Sequence, residues 1–591
     1  MDGNFQMNCE GQRKSQEQMR AYEEQGQRRA QEQMRAYEEQ GQRRAQEQMR
    51  AYEDQGQRRA QEQMRAYEEQ GQRRAQEQMR AYEEQERRRK EQMLIYGQQM
   101  RERQEEEERE KKKGASVFGK LGAASLVYTL IYTICLYKNT MGIAVVLWVA
   151  ACIGYAYTVF RMFGIREKRD SIFPVIVMGL LGVSTFLTGN QWIVGMNYAM
   201  IFILLVALLL HNFAQDNGWD FGKYAKEMLV AVCGAIGAVG KPFTDGSAFY
   251  RSRRKSGNKN GVYILIGIGA AVPCLLFLGT MLVSADMVFA DMVSRFFMQF
   301  KVPARAFGVI FMLCFGFFSS YCGVRYVEAH AAAIAPEEKK SGQPLIAIAF
   351  TAPIALLYIV FSVIQIVYLF VGGMQLPEGV TYAEYARKGF FQLLFVCAVN
   401  LVLVLVIQKY FGENLMLKIL LLVISGCTFV MTASSACRMA LYITAYQLTF
   451  LRVSVLVALA VIALLLAGVV AKILASGFPL FRYGIAVVCV VYLAFSFSHV
   501  DYFIASYNLS HPVAGGSDRT ESVDYGYLYK LSTDAAPAIE RYIRAQERAG
   551  KEEELPEWYK LYCMEQKDVM ENITLRNFNL SHYIASRLLG E

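Results

Sequence analysis

The sequence predicts an all-α, polytopic α-helical membrane protein with about eleven transmembrane spans. Apolar runs long enough to cross a bilayer follow one another between residues 115 and 500. By contrast, residues 1–113 consist almost entirely of Gln, Glu, Arg, Ala, Met and Tyr, and the residues after 499 are polar again. We therefore expect a charged helical rod over 1–113, a multi-pass transmembrane domain over 114–498, and a small helical C-terminal segment over 499–591.

The basic residues orient these spans. The rod ends in Lys111-Lys112-Lys113, and lysine or arginine beside a span favours the cytoplasmic side. This places the N-terminus inside, and an odd number of spans then places the C-terminal segment outside. We therefore expect a multi-pass membrane protein with a cytoplasmic N-terminus. The spans are predicted near residues 116–137, 141–162, 172–189, 192–212, 262–284, 305–325, 344–370, 389–408, 415–436, 453–472 and 481–498.

A 15-residue unit recurs about five times between Lys14 and Arg88, and "RAQEQMRAYEEQGQR" at residues 29–43 is its clearest copy. Within this copy Glu39 and Arg43 stand four residues apart, so they pair on a helix surface. One glycine per unit costs about 1 kcal/mol of helix stability. Three interpretations remain open: a solvated helix without a partner, a self-associating coiled coil, and an arm that recognises a cytoplasmic protein. In each of them the segment is a spacer or an oligomerisation rod.

The composition argues against several functional classes. The net charge of +9 lies largely beside the spans, so it does not indicate nucleic-acid binding. Most of the twelve cysteines lie in or beside apolar segments and no C-x-x-C occurs, which argues against a disulfide framework and a zinc site. No phosphate-binding loop, H-E-x-x-H or nucleophile elbow is found, and we expect no cofactor. Because the first hundred residues are hydrophilic, we expect the first span to act as its own insertion signal.

The stretch "SSACRMALYITAYQLTFLR" at residues 434–452 is polar for a segment between two spans. At about 100° per residue its arginines and tyrosines share one face of a helix. This pattern favours an interfacial helix, in which tyrosines form an aromatic belt while arginines reach to water. The alternatives are a face that binds an anionic or carbonyl-bearing group from outside, and one continuous helix over 434–473. With other segments expected outside, the candidate outer polar cluster comprises Glu384, Arg387, Arg438, Tyr442, Tyr446, Arg452, Asp501 and Asn508.

The predicted spans themselves contain few ionisable residues. Their deep polar positions are mostly neutral, as at Asn197, Gln365, Gln392 and Asn400. Asn and Gln in spans usually form hydrogen bonds with neighbouring helices. Ion-coupled transporters usually bury a carboxylate or histidine relay, so this pattern argues against that class without excluding it.

Three separated stretches, "TYAEYARKGFFQL" (381–393), residues 434–452, and "HVDYFIASYNLS" followed by "DYGYLYKLSTDAAPAI" (524–539), occur in an order that resembles bacterial multi-pass membrane proteins. These proteins are grouped as domains of unknown function of the 4153/4173 type. The chain departs from their pattern at Gln447, His499 and Ser506. The resemblance implies an integral protein of a bacterial envelope, and it implies no catalytic residue.

We expect a non-enzymatic role: an envelope sensor, scaffold or assembly factor that couples an outer polar face to a partner reached by the rod. A small-molecule transporter or channel is the second hypothesis. A membrane-embedded transferase is the third, and it requires Glu384, Arg438, Arg452 and Asp501 to converge on one cavity. The expected partners are the lipid bilayer, a second copy of the chain or a cytoplasmic protein, and no nucleic acid.

Overall fold

The computed structural model describes residues 78–105, 108–109, 112–216, 218–253, 281–299, 304–334, 342–367, 390–514, 521–550 and 555–590, together with isolated residues at 64, 71, 267, 271, 275 and 278–279. The chain forms two compact units, Met1–Arg109 and Glu110–Glu591.

In the first unit, residues 78–105 are helical. Exposed ion pairs between side chains four residues apart line this helix, as at Glu84–Arg88 and Glu86–Lys90. Such pairs each contribute a few tenths of a kcal/mol. The earlier repeats lie almost wholly outside the described residues, so the coiled coil stays a prediction.

The second unit is built from long apolar helices, which confirms the all-α polytopic fold class. In the described part of the chain, ten helices are long and apolar enough to cross a membrane, and a bent pair, Leu480–Ser496 with Val500–Ser510, brings the number to eleven. The first eight helices are α1 Lys112–Leu136, α2 Ile143–Phe163, α3 Ile172–Leu187, α4 Gln191–Phe213, α5 Phe221–Gly237, α6 Lys241–Arg253, α7 Met287–Gln299 and α8 Ala304–Ala331. They are followed by α9 Pro344–Ile366, α10 Phe390–Tyr410, α11 Leu415–Tyr446, α12 Phe450–Leu474 and α13 Leu480–Ser496.

Two differences from the predicted spans matter for function. Residues 221–251, which lie between the predicted spans 192–212 and 262–284, form a helical segment that is long and apolar enough for a span, with a 3₁₀ turn at Ala238–Gly240 joining α5 to α6. Charged residues such as Lys223 and Glu227 interrupt its apolar sequence, so this segment was not predicted as a span. The predicted span 262–284 lies mostly outside the described residues.

The long helices form two sub-bundles. In the first, α2, α3 and α4 pack together and α4 and α5 pack against α8. In the second, α9, α10 and α12 all pack against α11. Helix α13 contacts α12 of the second sub-bundle and α3 of the first. Side-chain caps stabilise the starts of two of these helices. The Asn190 side chain accepts hydrogen bonds from the amides of Trp192 and Ile193 at the start of α4, and the Asn414 side chain caps α11.

The residues after α13 form a small helical C-terminal domain. The chain bends by 58° at His499, whose φ of 48° lies in the left-handed region. The buried core of the domain includes Ile504, Leu528, Ile539 and Tyr562. Its elements are α14 Val500–Ser510, a strand pair β1 Val513–Ala514 with β2 Glu521–Ser522, α15 Tyr525–Leu528, a 3₁₀ turn Thr533–Ala535, α16 Ala536–Arg548, α17 Glu557–Glu571 and α18 Leu580–Leu589.

Candidate functional site

The C-terminal domain is bonded to the loop between α3 and α4 by a buried carboxylate. Asp534 accepts hydrogen bonds from Thr188 Oγ1 at 2.5 Å and from the Gly189 amide at 2.8 Å. Gly189 is required for this approach, because a Cβ there would collide with the hydroxyl of Thr533. Loop 188–190 is therefore shaped to receive the C-terminal domain.

A second buried carboxylate strengthens the same contact. Asp501 accepts hydrogen bonds from Asn190 Nδ2 at 2.9 Å and from Ser532 Oγ at 2.6 Å. Asn190 therefore caps α4 with its oxygen and binds Asp501 with its amide nitrogen. Buried carboxylates need such donors, because an uncompensated buried charge is very costly.

The C-terminal domain also bonds the second sub-bundle, at the break between α11 and α12. Asn508 exchanges two hydrogen bonds with the backbone of Leu448, at 2.8 and 3.0 Å. Gln447, with φ at 64°, donates to the carbonyls of Asn508 and His511. Tyr527 Oη accepts from the Phe450 amide at 2.8 Å. We call the contacts of the C-terminal domain with loops 188–190 and 447–449 the latch.

Arg452, on α12, bridges the break between α11 and α12. Its guanidinium donates to the carbonyls of Tyr446 and Gln447, which end α11. It also lies 4.3 Å from the ring centroid of Tyr442, within the range of a cation–π contact. The last carbonyls of a helix have no partner inside the helix, so this arginine satisfies groups that membrane surroundings could not.

Arg438 lies apart from the latch, inside the second sub-bundle. It is only 8% exposed, and its Nη2 donates to Gln365 Oε1 at 3.2 Å. The same oxygen accepts from Ser434 Oγ at 2.6 Å. These bonds join α9 to α11.

The structure divides the candidate outer polar cluster. It brings Tyr442, Arg452 and Asn508 to loop 447–449, together with Tyr446, while Asp501 binds at loop 188–190 and Arg438 within the bundle. Glu384 and Arg387 lie outside the described residues. Residues 434–446 continue α11 and a break follows, which excludes one continuous helix over 434–473, whereas an interfacial position of these residues stays a prediction. Ligand binding by these side chains stays a prediction.

Sequence reasoning missed a buried ion network at the end of the unit opposite the latch. Arg325 donates from Nε to Asp245 Oδ2 at 2.9 Å and from Nη1 to Glu328 Oε2 at 2.7 Å. Tyr321 Oη donates to the same oxygen of Asp245, and Lys113 pairs with Glu328. The network joins α1, α6 and α8. Asp245 of this network belongs to the helical segment 221–251, which was not predicted as a span.

A histidine–carboxylate pair lies beside this network. His330 Nε2 lies 2.8 Å from Glu227 Oε2, and Glu227 is buried. The ring of Tyr326 stacks on that of His330 with centroids 5.3 Å apart. Buried carboxylates therefore do occur on apolar helices of this protein, contrary to the expectation from the predicted spans.

Burial and hydrogen bonding shift the pKa values of the latch residues in opposite directions. The carboxylate of Asp534, 3.8 Å from His499 Nδ1, raises the pKa of His499 against the effect of burial. Burial alone would raise the pKa of Asp534, but the neighbouring His499, Ser581 and Thr188 side chains lower it. Burial lowers the pKa of His582. The docked latch therefore binds a proton tightly at His499 and weakly at His582.

These shifts predict that docking of the C-terminal domain is strongest near pH 6.5. The raised pKa of His499 stabilises the docked state below about 6.5, and this contribution is lost as pH rises through the docked-state pKa. The lowered pKa of His582 destabilises the docked state as pH falls below about 6.5. Limited proteolysis measures the docking of the C-terminal domain at pH values from about 5 to about 9, a range that spans ordinary histidine titration. We expect His499→Gln to abolish the alkaline change and His582→Gln the acidic one, and identical profiles for all three proteins contradict this.

In the part of the chain that the structure describes, no group of three or more His, Cys, Asp and Glu side chains could hold a metal ion. The sequence profile of one family, described as a domain of unknown function (DUF4153), matches residues 175–542, more than half of the chain. The chain belongs to the DUF4153 family. Neither a curated protein nor a solved structure matches it.

The DUF4153 match confirms the resemblance seen in the sequence. The matched region contains the loops and the carboxylates of the latch, from Thr188 to Asp534. It also contains Asp245 and Arg325 of the ion network. Lys113 lies before the region and α18 after it. The DUF4153 protein is thus a membrane protein of unknown activity, and most residues of its latch and of its ion network lie within the family's region.

Proposed function

We propose that this DUF4153 protein is a non-enzymatic envelope sensor or scaffold of a bacterial plasma membrane. Its C-terminal domain lies outside, and the rod reaches a cytoplasmic partner or a second copy of the chain. The single observation that carries the proposal is the latch. One small domain binds both sub-bundles at one end, so a change in its docking alters how the sub-bundles are held together.

The chemistry of the latch supports holding rather than catalysis. Asp534 and Asp501 direct their oxygens to Thr188, Gly189, Asn190 and Ser532, so these carboxylates serve internal contacts. Each such bond contributes about 0.5–1.5 kcal/mol net. A set of bonds of this size is strong enough to keep a domain docked and weak enough for a stimulus to shift.

Hydrogen–deuterium exchange of the full chain in nanodiscs tests the coupling. Asn508→Leu removes both hydrogen bonds to Leu448, and we expect faster exchange in α14 and also at the opposite end, in α6 and the last turns of α8. Asn572→Leu is the control, because the Asn572 side chain binds only Asp568 within its own turn. If exchange becomes faster only in the C-terminal domain, docking is not coupled to α6 and α8, and the sensor role is excluded in favour of a static scaffold.

A transporter is the second candidate function, favoured by the buried ionisable residues on two apolar helices. Glu227 on α5 pairs with His330 on α8, and Asp245 on α6 pairs with Arg325 on α8. Ionisable residues within spans commonly mark ion pathways. Proton flux into proteoliposomes that is lost in Glu227→Gln, with the latch variant still active, would favour this candidate over the sensor.

A further inference from the structure

A turn of the C-terminal domain completes the start of a transmembrane helix. Gly142 precedes α2 and provides no side-chain cap. Instead, the amide of Ile143 donates to the carbonyl of Phe578 at 2.9 Å, and that of Ala144 donates to the carbonyl of Arg576 at 3.3 Å. The first amides of a helix have no partner inside the helix, so residues 574–578 supply acceptors that lipid could not.

The same contacts fix how deep this turn reaches. Helix α1 ends at Leu136, yet Arg576 Nη1 lies 3.4 Å from the carbonyl of Ile134, within the last turn of α1. The ring of Phe578 lies 6.0 Å from that of Phe186, near the end of α3. The turn therefore touches the ends of three helices that are long and apolar enough to cross a membrane.

Leu575 has no place in the core of its own domain. Its side chain is 87% exposed, directly before Arg576. Moving a leucine from water into an apolar medium is favourable by about 1.5–3 kcal/mol. At the first turn of α4, Trp192 is 73% exposed, and exposed tryptophan at a span end is typical of the boundary between lipid headgroups and acyl chains. Leu575 and Trp192 thus lie beside the ends of membrane helices, where that boundary begins.

We infer that the turn 574–578 is a lipid-binding element, with Leu575 inserted among the acyl chains of the bilayer and the Arg576 guanidinium at the headgroup level. The partner is the phospholipid surface itself. Proximity carries this assignment: Ile134, whose carbonyl the Arg576 guanidinium contacts, is 66% exposed on α1, and the exposed Leu575 directly precedes that arginine. This goes beyond the proposed function, because it makes the C-terminal domain itself a membrane-contacting part.

Quenching by brominated lipids tests the insertion in the full chain. Leu575→Trp is reconstituted in nanodiscs of brominated or ordinary phosphatidylcholine, and the signal of the wild-type tryptophans is subtracted. We expect the added fluorescence to fall by about half or more in brominated lipid, as for a side chain buried at the acyl boundary. Glu547→Trp, at an exposed position near the end of α16, is the control and should change little.

Two outcomes would overturn the inference. Equal fluorescence of Leu575→Trp in both lipids means that the turn faces water or is covered by another protein. Equal quenching of Leu575→Trp and Glu547→Trp means that contact with lipid is not specific to this turn. Because Leu575 is exposed, the substitution should leave folding intact, and an unchanged size-exclusion profile verifies this.

Discussion

Replacing Arg325 with Met lowers the stability of the protein by about 3–5 kcal/mol, the usual cost of removing one partner from a buried ion pair. The substitution leaves Asp245, which is 2% exposed, as a buried carboxylate without its cation, and it leaves Glu328 with Lys113 as its remaining cation. The measurement is the temperature at which detergent-solubilised protein loses its monodisperse size-exclusion peak, and we expect it to fall by several degrees.

The control for this prediction is an exposed ion pair of the same type. Arg295 lies 2.7 Å from Asp291, with side chains 78% and 59% exposed. Exposed pairs contribute at most about 1 kcal/mol, so Arg295→Met should leave the transition nearly unchanged. Adding Asp245→Leu to Arg325→Met should recover part of the loss. Equal transitions for Arg325→Met and Arg295→Met would show that the network does not stabilise the fold.

Replacing Asp534 with Leu opens the latch. Thr188 Oγ1 and the Gly189 amide lose their acceptor, and each buried donor left unsatisfied costs about 1–3 kcal/mol. His499 also loses the carboxylate that it faces. Since 1.4 kcal/mol corresponds to a factor of ten, we expect cleavage of the C-terminal domain by an added protease to accelerate by at least about tenfold.

Asp568→Leu is the matched control. This carboxylate lies on the exposed side of α17, and it binds the side chain of Asn572. Its removal should leave the cleavage rate at the wild-type value. If Asp534→Leu is cleaved no faster than Asp568→Leu, the latch does not hold the domain, and the proposed sensor loses its central contact.

Local sequence patterns suffice to predict most of the transmembrane helices, because the bilayer demands long apolar runs irrespective of what each helix contacts. Helix α12, Phe450–Leu474, corresponds to the predicted span 453–472 within a few residues. The helical segment 221–251 was not predicted as a span for a physical reason. Glu227 and Asp245 are charged residues, which are typical of helices in water. Their burial is tolerable only because they pair with His330 and Arg325 on α8.

The candidate site shows the same division. A common helical face correctly associates Tyr442 with Arg452, but the two meet across a break, because Arg452 reaches back to the carbonyls that end α11. No local pattern indicates this. Arg438, on the same predicted face, instead turns to Gln365 within the bundle.

The sequence by itself determined that this is a membrane protein of many apolar helices with polar ends, since that depends on the transfer of local segments into lipid. Only the tertiary structure decided which polar residues act together. Asp534 and Thr188 are separated by 346 positions, and their hydrogen bond exists because the C-terminal domain folds back onto loop 188–190. Pairings of this kind depend on how distant segments satisfy each other's buried donors and acceptors, and no single segment carries that information.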